Sequence, residues 1–440
     1  MILSRGEAGA SPLERWSWAL YDFANTIFSM NIVTLYFPVW IVAERGASNT
    51  AYSAATSLSS AAVLLAAPWI GAVSDASGRR KPWVVALTLV SVAATLALSP
   101  LARAGLSRGS RLLVPLAAFV LANVAYQLAI PPYNAMLAEL APPQSRGRLS
   151  GLGTALGYVG SIAGVLLVAP FVTGGLGGLS PGGRQAAFAP TALLFLLFSL
   201  PFFFFCRDRG VRRDRGVRVP ISAIVRELRD AFREAGRYPG LRRFVVASYF
   251  YQDALGTAVS FMALYAVTVL GLPAGGEVRL FVTLTVPAIF GAALAGRASD
   301  LYGPRRTLQA VLAAWCAGLI AIALAPSLSA FWAGGLLVGL AFGGIWSSER
   351  PLLLTLVPAR EAGRFFGLLS LSARAAAIVG PLVWAAIVDG IFRSLGPAVA
   401  YRIAVGSLAL FMLTAYLLLR GVPDRAAGEA DAARASAEVS

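Results

Sequence analysis

The sequence predicts an all-α integral membrane protein, with twelve transmembrane helices arranged as two pseudo-symmetric six-helix bundles. Three observations carry that expectation. Of 440 residues, 58% are hydrophobic and only 13% charged, where a soluble domain carries roughly 45–50% and about 25%. Apolar runs of about 20 residues, long enough to span a bilayer, recur along the whole length. A polar connector in the first half returns in the second. The composition also excludes chemistry: with no histidine, imidazole catalysis, haem ligation and histidine proton relays are out. Two cysteines, Cys206 and Cys316, offer neither a disulfide framework nor a zinc cluster. No cofactor and no enzyme activity are expected.

The spans fall at 16–43, 52–73, 82–102, 112–140, 148–172 and 188–206, then at 243–270, 279–296, 306–326, 330–357, 363–391 and 401–420. The first far exceeds the roughly 7–15-residue apolar region of a cleaved signal, so it is expected to be retained. Pro68, Pro131, Pro132, Pro287 and Pro381 fall inside spans, where neighbouring helices can satisfy the freed backbone groups.

An even number of spans puts both termini on one side, together with the connectors at 74–81, 141–148, 207–242, 297–306 and 358–364. With Arg243 at the edge of its span, 27 of the 37 basic residues fall on that side. The positive-inside rule makes it the cytoplasmic side of a cell (inner) membrane. Lys81 is the sole lysine, matching the arginine habit of GC-rich bacterial genomes. Because the arginines sit between spans, the net charge of +16 reflects topology and not nucleic-acid binding.

Four regions follow: an N-terminal bundle (1–206), a cytoplasmic linker (207–242), a C-terminal bundle (243–420) and a small, polar, disordered tail (421–440). Within the linker, Ile221, Ile224, Val225, Leu228 and Phe232 make one apolar helical stripe, with arginines on the other faces. Such a helix suits either the anionic inner leaflet or the underside of the bundle.

The repeat sits after the second span of each half. Gly71, Ser74, Asp75, Gly78, Arg80 and Lys81 recur 225 positions later as Gly296, Ser299, Asp300, Gly303, Arg305 and Arg306. Pro142, Gly147, Arg148 and Gly151 recur 216 positions later as Pro358, Gly363, Arg364 and Gly367. Duplicated six-helix halves are a transporter signature, with solute handled between them near the midplane. Gly71 and Gly78 permit close helix approach and a tight turn, Asp75 can sit at the positive end of a neighbouring helix, and Arg79, Arg80 and Lys81 hold the loop inside.

The doubled connector resembles the loop between the second and third helices of the major facilitator superfamily. Trp16-Ser-Trp-Ala-Leu-Tyr21-Asp22-Phe23-Ala24-Asn25-Thr26 resembles the opening helix of the vacuolar amino-acid effluxer-like (autophagy-related permease) family. Tyr133-Asn134 through Glu139 to Arg146-Gly147-Arg148 is similar to the same family's fourth-to-fifth helix region. The resemblance implies alternating access, a cavity lined by the first, fourth, seventh and tenth helices, and export of neutral amino acids. The seventh-helix Tyr251-Gln252-Asp253 departs from the family pattern.

Ionisable residues inside spans are functional by default because burying them is costly. Asp22, Asp253, Glu349, Arg350 and Arg374 are such residues. At about 1.5 Å per residue, Asp253 and Arg374 lie roughly 15 Å from the cytoplasmic ends of their spans and Asp22 about 10 Å. With Asn25, Asn134 and Gln252 they make the candidate solute and proton-coupling set. Asp22 or Asp253 can either carry a coupling proton or pair structurally. Arg350 or Arg374 can either clamp a substrate carboxylate or form a salt bridge, Arg374 with Glu349 by depth. Glu139 belongs with the cytoplasmic gate motifs. Trp16, Trp18, Trp40, Trp69 and Trp83 are expected as interfacial anchors.

The expected partners are a small-molecule solute, the bilayer and a proton, with no nucleic acid, and the chain is expected to be a monomer. Two rivals stand beside amino-acid transport: export of larger amphipathic or drug-like solutes, and a non-transporting receptor or scaffold of the same fold.

Overall fold

A computed structural model describes residues 10–47, 49–103, 110–174, 182–209, 230, 232–271, 276–391 and 393–423. Among them run twelve long helices. They are α1 (Pro12–Phe28, continued by Ser29–Tyr36, Phe37–Val39 and Trp40–Glu44), α2 (Asn49–Ser77), α3 (Lys81–Arg103) and α4 (Ser110–Ala135, then Leu137–Leu140). Next come α5 (Arg146–Thr173), α6 (Phe188–Phe205), α7 (Leu241–Leu270) and α8 (Gly276–Tyr302). The last four are α9 (Pro304–Leu324), α10 (Leu328–Leu356), α11 (Ala362–Ala385, continued by Ala386–Ile391) and α12 (Pro397–Leu419). The expected prolines sit inside α2, α4, α8 and α11.

Ten of the twelve are long and apolar enough, over the described residues, to cross a membrane. The two others, α7 and α8, carry the polar residues Gln252, Asp253, Arg297 and Asp300. The apolar linker stripe at 221–228 and the tail from 424 lie outside the described residues.

Internal contacts divide the chain into two units: residues 1–142 with 156–224, and residues 143–155 with 225–440. The first turns of α5 therefore group with the second unit and the rest of α5 with the first. Each unit is built the same way. In the first, α1 packs on α6, α3 on α4 and α6, and α2 on α4. In the second, α7 packs on α12, α9 on α10 and α12, and α8 on α10, so every pairing recurs six helices later.

The two interiors are filled differently. Phe28, Phe37, Trp40, Phe119, Phe188 and Phe195 pack the first unit, with Phe37 stacked on Phe119 at 4.2 Å. Trp18 and Trp40, expected at the interface, are buried, while Trp16 is exposed as an anchor should be. In the second unit α8 and α10 approach through glycine: a Cβ on Gly343 would come within 2.6 Å of the Ala292 backbone nitrogen.

Candidate functional site

The first connector is built around a buried arginine. Gly78 ends α2 with φ +61°, a left-handed turn that glycine makes without strain. The chain then folds Arg80 back against α2, where its Nε and Nη2 donate to Asp75 Oδ1 at 3.1 and 2.6 Å. Nη1 donates to Glu139 Oε1 at 2.5 Å and to the Ala135 carbonyl at 3.2 Å. All three side chains are at most 7% exposed. Burial alone would lower the Arg80 pKa, but Asp75 and then Glu139 outweigh it and hold the guanidinium above its ordinary value.

Asp208 completes the connector, accepting the Arg80 and Lys81 backbone N–H groups at 2.8 and 2.7 Å where α3 begins. Arg209 ties in Glu139 through its N–H (2.9 Å) and Glu14 through its guanidinium (2.7 Å). The sequence reading did not single out Asp208, Arg209 or Glu14. Their signal was weak, since Asp208 sits in an arginine-rich stretch with the look of a solvated run.

In the second connector Asp300 takes the helix-end position expected for Asp75. It accepts from the Gly147 and Arg148 N–H groups at the start of α5, at 2.7 and 2.9 Å, and from Arg148 Nε at 3.0 Å. Glycine is required at this crossing: a Cβ on Gly151 would sit 2.6 Å from the Ala292 carbonyl oxygen and 2.9 Å from Gly296 Cα. Gly303 turns the chain at φ +90°, and Arg305 donates to the Arg420 carbonyl at 3.1 Å.

Inside the first unit, Asp22 and Asn25 are both 6% exposed on α1. Asp22 lies on the side facing Gly157 of α5, where Thr26 donates to the Gly157 carbonyl at 2.5 Å. The side-chain oxygens of Asn25 and Asn134 are buried with no hydrogen-bond partner among the described residues. Asn134 shares a stripe of α4 with Asn123 and Gln127, at i, i+4 and i+11. Gln127 Nε2 donates to Asn123 Oδ1 at 2.9 Å. That spacing was legible, but neither Asn123 nor Gln127 was singled out. Tyr133 is fully buried and stacked on Trp18 at 4.8 Å, and Tyr21 lies 2.6 Å from the Thr88 hydroxyl.

In the second unit, adjacent residues of α7 face different helices. Gln252 Nε2 donates to Glu349 Oε2 on α10 at 3.3 Å, and fully buried Tyr251 lies beside the same carboxylate. Glu349 thus takes a hydrogen bond from Gln252 of α7. Asp253, 1% exposed, turns to α11 and accepts the Gly380 N–H on Oδ1 at 2.8 Å. Its Oδ2 has no partner among the described residues. Arg350 and Arg374 are half-buried. Among the described residues no group of histidine, cysteine, aspartate or glutamate could hold a metal ion.

The family described as vacuole effluxer Atg22 like matches residues 139–432, and the sugar (and other) transporter family matches residues 15–211. The chain is 25% identical over 420 residues to the "Uncharacterized MFS-type transporter YxiO" of Bacillus subtilis (strain 168), covering 93% of this chain and 94% of that one. It is 23% identical over 380 residues to an "Uncharacterized protein" of Aquifex aeolicus (strain VF5), covering 86% and 90%. Among solved structures, the human organic anion transporter MFSD10 matches with TM-score 0.71 at 16% identity, over 93% of this chain and all of that one. A bacterial homologue of the iron transporter ferroportin, in an outward-facing state, matches with TM-score 0.71 at 17% identity, over 93% and 98%. The fold is thus that of the major facilitator superfamily, and, with most of its length matched, this chain belongs to the vacuole effluxer Atg22-like family of membrane transporters.

Proposed function

We propose that this transporter moves a small organic solute, neutral amino acids being the class to test first, by alternating access coupled to protons. The observation that carries the coupling is Asp253, a carboxylate 1% exposed within a membrane helix with one oxygen left unpartnered among the described residues. A permanent ion pair would satisfy such a group, whereas a group that takes up and releases a proton must keep an oxygen available. The family match supports the solute class.

On this reading Asp22, Asn25, Asn134, Gln252, Glu349, Arg350 and Arg374 are the remaining solute-handling residues, and an arginine supplies the fork for a carboxylate. The two connectors act as cytoplasmic gates. Residues 1–206 and 243–420 are the two bundles, joined by a cytoplasmic linker, and both termini face the cytoplasm of a monomer in the cell membrane.

The test is uptake of a labelled amino-acid mixture into liposomes holding the purified protein, with and without an imposed pH gradient. Accumulation above equilibration with the gradient, reduced to plain equilibration in Asp253→Asn, is expected. No flux in either condition overturns the amino-acid reading in favour of a larger amphipathic solute. Gradient-driven accumulation surviving in Asp253→Asn overturns the role of that carboxylate.

A further inference from the structure

Three features converge beside Asp253 in the second unit. Its Oδ1 is held by the Gly380 N–H at 2.8 Å, while Oδ2 has no partner among the described residues. Thr257, one turn along α7 and 1% exposed, also has a hydroxyl without a partner among the described residues. A threonine in a helix ordinarily turns its hydroxyl to a carbonyl of the preceding turn. Finally, both side chains point at the place where residue 380 would carry a Cβ. That atom would lie 2.5 Å from Asp253 Oδ1 and closer still to Thr257 Oγ1. Glycine at 380 therefore makes a small polar cradle, and Pro381, next to it, lacks an N–H, so α11 misses a backbone bond at the same level.

Other titratable groups stand on the helices packed around Asp253. Tyr249, one turn before Asp253, is the titratable group on α7 that senses it. On α10, Glu349 is turned to Gln252 and Arg350 follows it. On α11, Arg374 stands six residues before Gly380. Phe411 of α12 packs on Phe250 at 5.9 Å, and α12 has no titratable residue between Arg402 and Tyr416.

We infer that Asp253, Thr257 and Gly380 form a single-proton site in which Thr257 is the positioning residue. This deepens the proton-coupling reading above and rests on it. The step balances simply. A proton from water binds Oδ2, the carboxylate becomes a neutral acid, and the Thr257 hydroxyl, unpartnered among the described residues before that step, turns to accept the new O–H while Oδ1 keeps the Gly380 N–H. Release returns the proton to water and restores the anion. A sodium ion needs several oxygen ligands, and here one face of the carboxylate already meets an N–H donor.

The test needs no solute. Purified full-length protein in lipid nanodiscs is followed by difference infrared spectroscopy as pH is stepped between about 4 and 9, the range reached by shifted carboxyls. Wild type is expected to show a protonated-carboxyl C=O band on acidification that is missing in Asp253→Asn. Thr257→Val should move that band to higher wavenumber, as loss of a hydrogen bond requires, and Thr257→Ser should return it. Should the valine variant not yield folded protein, Thr257→Ala makes the same comparison. A band unmoved by loss of the hydroxyl overturns the positioning role, and a wild type without an Asp253 band overturns the proton site. Binding of labelled sodium that is lost in Asp253→Asn overturns it in favour of a metal cation. Failed amino-acid uptake with the band intact breaks only the solute class, while uptake without the band breaks only this site.

Discussion

The two connectors carry matching residues and use them in opposite ways. In the first, Arg80 lies buried between Asp75 and Glu139. In the second, Arg305 instead reaches the Arg420 carbonyl, and Asp300 leaves its own loop to hold the start of α5. One cause is a single position. Glu139 stands three residues before Pro142, and the matching place before Pro358 is Thr355, whose hydroxyl turns back to the Leu352 carbonyl at 2.8 Å. Without a second carboxylate, the second connector cannot bury its arginine in the same way. The helix that follows differs as well: Asp208 accepts the Arg80 and Lys81 N–H groups at the start of α3, whereas α9 begins with Pro304, which removes one of the N–H groups at its start. A motif thus fixes which groups are present, and its surroundings decide what each one holds.

Four substitutions break or sharpen that contrast. Arg80→Ala should be the most damaging, because it strands Asp75 and Glu139 as buried charges. Breaking one side of such a pair costs about 3–5 kcal/mol, read as the largest fall in apparent Tm in detergent, and Arg305→Ala should fall far short of it. Next is Gly151→Ala, whose Cβ would meet the Ala292 carbonyl at 2.6 Å. Both neighbours are backbone, so the helices must part, at about 1–3 kcal/mol.

Third is Asp300→Asn, which keeps an oxygen for the α5 N–H groups but loses the charge that favours a helix start, for about 0.3–1 kcal/mol. The same change at Asp75 should cost more, since it removes half of a buried ion pair. If the two aspartates respond alike, the contrast between the connectors is wrong. Smallest is Arg148→Ala. Its side chain is 65% exposed, so its pairing with Asp300 contributes at most about 1 kcal/mol. A Tm drop as large as that of Arg80→Ala would show that both connectors store their stability in ion pairs.

Much of the molecule was legible from local signals. Membrane spans depend on some 20 consecutive residues, so hydropathy alone located the helices, and the doubled connector announced the repeat. Asp253 was visible because a charge inside an apolar run is conspicuous in one dimension. Thr257 was not, although it lies one turn away, because threonine is ordinary in such helices and only the absence of a partner distinguishes it. Asp208 was hidden for the opposite reason, as one acid among many arginines.

By itself the sequence determined that this chain lies in a membrane, that it is built from a duplicated half, and which ionisable groups must be placed inside it. Only the tertiary structure decided that Gln252 turns to α10 while its neighbour Asp253 turns to α11. It likewise buried Trp18 and Trp40 and set Arg80 between two carboxylates. The physical reason is range. Hydropathy and helix propensity are summed along neighbouring residues, whereas a hydrogen bond or ion pair is set by which faces of distant helices meet, and a 100° step per residue sends adjacent side chains to different partners.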